Sequence, residues 1–144
     1  MIYFDTSYLA KCYLLENGSA AVRHLANAQE RIACSAFGQV ELVAAFHRKL
    51  REGEISRAEF VVLINQLELD DAHRLWTWLP VTPQMLIVTA ARFLALPNDC
   101  FLRSADALHL TCAAEGGFTS IVSNDRHLLT AAVHFGIQPE NVIV

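Results

Sequence analysis

The chain has 144 residues, 53% of them apolar and 18% charged, with a formal net charge of −4. That length and that apolar share suit one folded domain, 1–144, with a sizeable core, and they exclude a disordered or low-complexity chain. The acidic balance counts mildly against nucleic acid as a partner, although clustered carboxylates offset by bound metal would give the same sign.

Met1 to Asp5 has no basic leader and reaches a carboxylate at once, so no signal peptide is expected. The longest uncharged stretch, Leu75 to Ala91, is interrupted by prolines, and no run is long enough for a bilayer. Cys12, Cys34, Cys100 and Cys112 form no C-x-x-C pair and sit in apolar settings, as buried thiols of a reducing compartment do. A cytoplasmic protein is the expectation.

In chain order, residues 2–5 read as a strand ending in Asp5, followed by helices over about Ser7 to Glu16 and Ser19 to Ala28. Arg31 to Ser35 reads as a strand, and Ala36 to Arg51 as a helix whose terminal Arg48, Lys49 and Arg51 suit its C-terminal dipole. Ser56-Arg-Ala-Glu59 is a capping box opening a helix to about Asp70. Leu75 to Val81 alternates as a strand, with Trp76 and Trp78 on one face. Thr82-Pro83 starts a helix to about Leu96. A helix over Ser104 to Glu115 ends at Gly116-Gly117. Thr119 to Ser123 is a strand, Asp125 to Phe135 a helix, and Asn141 to Val144 a closing strand. Strands alternating with helices make an α/β domain with a mainly parallel sheet, whose ligands bind beyond the carboxyl ends of the strands.

Four carboxylates stand in apolar surroundings: Asp5, Glu41, Asp106 and Asp125. Asp5 and Asp125 each follow a strand and serve equally well as helix N-caps. Glu41 has Phe37, Ala44 and Ala45 at helical spacing around it, so it projects from an apolar helix face. An unpaired carboxylate there would cost several kcal/mol, leaving a buried ion pair or a functional role. Asp106 suits the first turn of its helix, with Arg103 three residues before and His109 three residues after. As a set, four carboxylates suit Mg2+ or Mn2+ and the hydrolysis of a phosphodiester. Zinc is disfavoured, since no H-E-x-x-H and no Cys/His spacing occurs. The remaining histidines lack ligand spacing, and Arg48, Lys49, Arg51 and Arg57 read first as solvated helix ends.

Phe4-Asp5-Thr6-Ser7, Val40-Glu41-Leu42, Leu102-Arg-Ser-Ala-Asp106-Ala-Leu-His109-Leu and Val122-Ser-Asn-Asp125-Arg-His-Leu128 occur in this order. The chain thereby resembles, over its whole length, the PIN-domain ribonucleases, especially the VapC-type toxins of toxin–antitoxin pairs. The resemblance implies a three-layer fold with a central five-stranded parallel sheet flanked by helices. It implies that Asp5, Glu41, Asp106 and Asp125 converge on Mg2+ or Mn2+ to cleave RNA. It also implies a homodimer and a cognate VapB-like antitoxin. Ser7 matches a small hydroxyl residue often found beside the first carboxylate, and equally caps a helix. Arg103, His109 and Asn124 are candidates for contacts around the site or to RNA. Ser-Asn-Asp replaces the commoner Thr-x-Asp, a mild departure.

Two other functions compete. A haloacid-dehalogenase-type phosphohydrolase also begins strand–Asp, but needs a second Asp where Ser7 stands. A catalytically silent PIN-like scaffold would bind RNA or protein only, and the intact quartet of carboxylates argues against it.

Overall fold

A computed structural model describes residues 1–144. The strands are β1 (Ile2–Tyr3), β2 (Ile32–Ser35), β3 (Trp76–Leu79), β4 (Ser120–Val122) and β5 (Gln138–Glu140). The helices are α1 (Thr6–Tyr13), α2 (Ser19–Asn27), α3 (Phe37–Arg51), α4 (Arg57–Ala72), α5 (Pro83–Ala95), α6 (Ser104–Glu115) and α7 (Arg126–Ala131). A 3-10 turn, Ala132–Phe135, follows α7.

Every strand pairing is parallel: β1 with β2, β2 with β3, and β4 with β5. The expected five-stranded sheet thus occurs as two ladders. They meet at a single parallel bridge, Phe4 to Val122, where the Asp5 amide donates to the Val122 carbonyl at 3.2 Å. The spatial order is therefore β3–β2–β1–β4–β5, and the direction of chain progress reverses between β1 and β4. That reversal opens a crevice beyond the strand ends, and Asp5 and Asp125 flank it.

Strand alternation builds a core on each face. Tyr3, Ala33 and Ile121 face one way, into residues of α6, α7 and the 3-10 turn, with Met85 of α5 at its margin. Phe4, Ile32, Cys34 and Val122 face the other way, into Tyr8, Leu9, Val22, Leu42, Phe46 and Leu67 of α1 to α4. This is the three-layer arrangement expected from the sequence. The Ser56–Glu59 capping box forms in both directions, and Thr82 caps α5 through the Met85 amide.

Two boundaries differ from expectation for identifiable reasons. The first helix stops at Tyr13 rather than Glu16. Its freed carbonyls find other donors: Ser19 Oγ donates to Leu14 O at 2.9 Å and Arg23 Nε to Lys11 O at 3.2 Å. The last strand is Gln138–Glu140, and Asn141 to Val144 is irregular. There the Asn141 side chain accepts from Tyr8 Oη and from the Ile143 amide, replacing ladder bonds. Trp76 is buried and Trp78 half-buried, and both indole N–H groups are satisfied, by Tyr13 Oη and Asp71 Oδ1 respectively.

Gly38 sets how closely α3 approaches the strand that feeds the crevice. A β-carbon at Gly38 would stand 2.5 Å from Cys34 Sγ and 3.4 Å from Thr6 Oγ1. Alanine is the better helix former by about 1 kcal/mol, but overpacking a tight core costs about 1–3 kcal/mol. Gly38→Ala is therefore expected to lower the urea midpoint. A higher midpoint would show that Cys34 yields freely.

Candidate active site

The crevice gathers side chains from α1, α3, α6 and the loop between β4 and α7. Asp5 is 4% exposed and caps α1. Its Oδ1 accepts from Ser7 Oγ at 2.7 Å and from the Tyr8 amide at 3.2 Å, while its Oδ2 accepts from Ser123 Oγ at 2.7 Å. Burial raises the Asp5 pKa, against the opposing hydrogen bonds from Ser7, Ser123 and Tyr8.

Ser123 links the Asp5 carboxylate to the backbone of Asp125, because its Oγ also accepts from the Asp125 amide at 2.9 Å. Asp125 divides its oxygens between two tasks. Oδ1 caps α7 by accepting from the His127 and Leu128 amides, and Oδ2 accepts from Arg103 Nη2 at 2.9 Å. Arg103 Nε in turn donates to Asp106 Oδ2 at 3.3 Å. One guanidinium thus spans Asp106, on the first turn of α6, and Asp125. Burial and the neighbouring Asp125 charge raise the Asp106 pKa, with Arg103 opposing them.

Glu41 and His109 form a second group. His109 Nε2 lies 2.5 Å from Glu41 Oε1 and 3.2 Å from Thr6 Oγ1, and Nδ1 lies 2.8 Å from Tyr3 Oη. Thr6 Oγ1 donates to Glu41 at 2.8 Å. Burial alone would depress the His109 pKa; the polar atoms of Tyr3, Cys34 and Glu41 around the ring outweigh it and hold it well above the ordinary histidine value. Burial likewise pushes Glu41 up, but His109, Thr6 and the Arg103 charge bring it below the usual glutamate value. Arg103 therefore acts electrically on Glu41 as well as on the two aspartates it touches, which joins the groups into one field.

The structure brings Asp106 and Asp125 together through Arg103, and Asp5 to Asp125 through Ser123. Glu41 is tied to His109, three residues from Asp106 on α6. Ser7 sits on Asp5, as the sequence suggested. Asn124 is exposed at the rim. No three acidic, histidine or cysteine side chains close on a common metal-binding point. The donor set nevertheless fits a hard divalent cation. It is all carboxylate oxygen, and Asp5 and Asp106, whose anionic forms are disfavoured by burial, would gain most from one.

Three contributors escaped the sequence reading: Tyr3, Thr6 and Ser123. Thr6 and Ser123 are small hydroxyls one and two residues from a candidate carboxylate, and that adjacency was the available signal. Tyr3 gave none, because its partner lies 106 positions away.

The PIN domain family model matches residues 2–133. Ribonuclease VapC47 of Mycobacterium tuberculosis (strain CDC 1551 / Oshkosh) is 31% identical over 142 residues, which cover 94% of this chain and 93% of that protein. The order of its motifs, the parallel sheet reversing at Asp5 and this likeness agree: the chain belongs to the PIN domain family, and within it to the VapC-type proteins.

Proposed function

We propose that residues 1–144 form a single ribonuclease domain that hydrolyses RNA phosphodiester bonds with Mg2+ or Mn2+ and acts as the toxin of a toxin–antitoxin pair. The observation that carries this reading is the chain of polar contacts from Asp5 through Ser123, Asp125 and Arg103 to Asp106, at the reversal point of a PIN sheet.

Asp5, Asp106 and Asp125 would hold the cation, with Glu41 completing the acidic set. A bound divalent cation supplies an activated water and screens charge on the scissile phosphate. Ser7 and Ser123 fix the Asp5 carboxylate from both oxygens. Thr6 and His109 fix Glu41, so that neither acid must reorganise as charge develops. Arg103 is 63% exposed on its side chain, and its guanidinium has the geometry to meet a phosphate.

The test is cleavage of single-stranded RNA by purified protein with Mg2+ or Mn2+, and its loss with EDTA. Cleavage that survives thorough chelation would remove the metal from the reading. Expression of the wild type alone should arrest growth in the native host, and co-expression of a VapB-like antitoxin should restore it. We place the protein in the cytoplasm, where RNA and such an antitoxin meet. No helix is long and apolar enough to cross a membrane.

We also propose a homodimer. On α5, Leu86 is 53% exposed, Ile87 63% and Leu94 90%, and Ala90 and Ala91 complete an exposed apolar stripe. Val61 and Val62 on α4 are exposed too. Contiguous apolar surface of this kind marks an interaction site. Sedimentation at micromolar concentration should give a dimer, and Ile87→Glu should give a folded monomer. A monomeric wild type would contradict the dimer.

A further inference from the structure

Beside the hydroxyls that hold Asp5 and Glu41 lies a cavity of about 260 Å³. Thr6 and Ser7 of α1 line it, together with Lys11, Glu16, Arg48 of α3 and Asn124 of the loop between β4 and α7. Thr6 and Ser7 are the hydroxyls that donate to Glu41 and Asp5. The cavity therefore shares a wall with the acidic site.

Its cations are not equivalent. Lys11 is buried with its Nζ 3.2 Å from the half-buried Glu16, while Lys49 beside the cavity pairs with Glu54 at 2.7 Å and Glu16 at 3.8 Å. Arg48 enters no ion pair and is exposed. Of the two cations that line the cavity, Arg48 is therefore the one without a partner carboxylate in hydrogen-bonding contact. Asn124 is exposed and its amide makes no protein hydrogen bond, so it is a free donor on a neighbouring wall.

On a chain of net charge −4 with a cluster of carboxylates, RNA needs a local cation to approach. A guanidinium offers two parallel donors to one phosphate, and an amide adds a third. We propose that Arg48 and Asn124 form a subsite for the backbone phosphate of single-stranded RNA next to the one cleaved, which sets the path of the strand from the acidic crevice over Ser7 towards the end of α3. This proposal rests on the ribonuclease reading above.

The test is steady-state cleavage of a labelled oligoribonucleotide at several salt concentrations, with melting curves to establish folding. Arg48→Ala should raise KM about tenfold, the scale of one charged hydrogen-bonding contact, at unchanged kcat. Its log–log salt slope should flatten by about 0.7, one phosphate contact on a single strand. Arg48→Lys should restore the slope and part of KM. Asn124→Ala should raise KM less and leave the slope alone. Arg92→Ala, which removes a charge above the Phe135 ring on another layer, should change neither. Wild-type KM and slope in Arg48→Ala would overturn the subsite, as would a fall in kcat at unchanged KM. If the wild type cleaves no RNA with either metal, the ribonuclease reading falls and takes the subsite with it. If the wild type cleaves and Arg48→Ala matches it, the subsite alone falls.

Discussion

Asp106→Asn is expected to yield a folded protein whose RNA cleavage is lower by about a hundred- to ten-thousandfold. Charge stabilisation through a metal is worth several kcal/mol in the transition state, and about 1.4 kcal/mol is a factor of ten in rate. The fold should survive, because the asparagine keeps the shape and Arg103 retains its 2.9 Å contact with Asp125. Burial and the Asp125 charge already disfavour the Asp106 anion. Removing it relieves that repulsion, so the metal-free melting temperature should hold or rise. The stabilisation by added Mg2+ or Mn2+ that a bound ion gives by linkage should shrink. Melting curves with and without metal, together with cleavage rates, read all three effects. Cleavage within a few-fold of wild type would take Asp106 out of the site.

The fold was legible because its signals are local. Alternating elements, the Ser56 capping box, Thr82-Pro83 and the glycines after α6 each act within a few residues, and each appears where the sequence puts it. The end of α1 was not legible, because Ser19 and Arg23 of the next helix decide which carbonyls are satisfied. The same holds for the C-terminal segment, where Tyr8 recruits the Asn141 side chain and the Val142 amide.

For the site, capping at Asp5 and Asp125 leaves a carboxylate oxygen available for other contacts. At Asp125 one oxygen caps α7 and the other meets Arg103; at Asp5 one oxygen caps α1 and the other meets Ser123. Capping fixes a carboxylate at a strand end, which is what a site needs. Glu41 was expected on an apolar face. Its neighbours Phe37 and Ala44 are instead exposed, and its setting is polar because His109 and Thr6 reach it from other elements. Contacts across such sequence distances leave no mark in local pattern.

His109 is the residue whose loss should cost the fold most. The ring is 2% exposed and stands between Tyr3, fully buried, and Glu41. Tyr3 Oη also accepts from the Ser35 amide at 3.0 Å, so the ring belongs to a network tying β1, β2, α3 and α6. His109→Ala would leave a cavity, leave Tyr3 Oη with the Ser35 amide alone and leave Glu41 with Thr6 as its one hydrogen-bond partner. Removing a large buried side chain with its hydrogen bonds costs about 2–5 kcal/mol, a large part of the roughly 5–15 kcal/mol that holds a domain together. Urea unfolding with chelator present should show that loss. If His109→Ala does not fold, His109→Gln, which keeps one hydrogen bond and no charge, gives the reading. The gap between wild type and His109→Gln should also depend on pH. The His109 pKa is raised in the fold, so its stabilisation is complete below the ordinary value of 6.5 and fades as pH rises through the folded value. The Glu41 pKa is lowered, so its share is complete above the ordinary 4.5 and is lost as pH falls through the folded value. The gap should therefore be widest between those two ordinary values and narrow on either side. A gap that stays flat from pH 4 to 9 would mean that the ring is held by packing and not by its charge on Glu41.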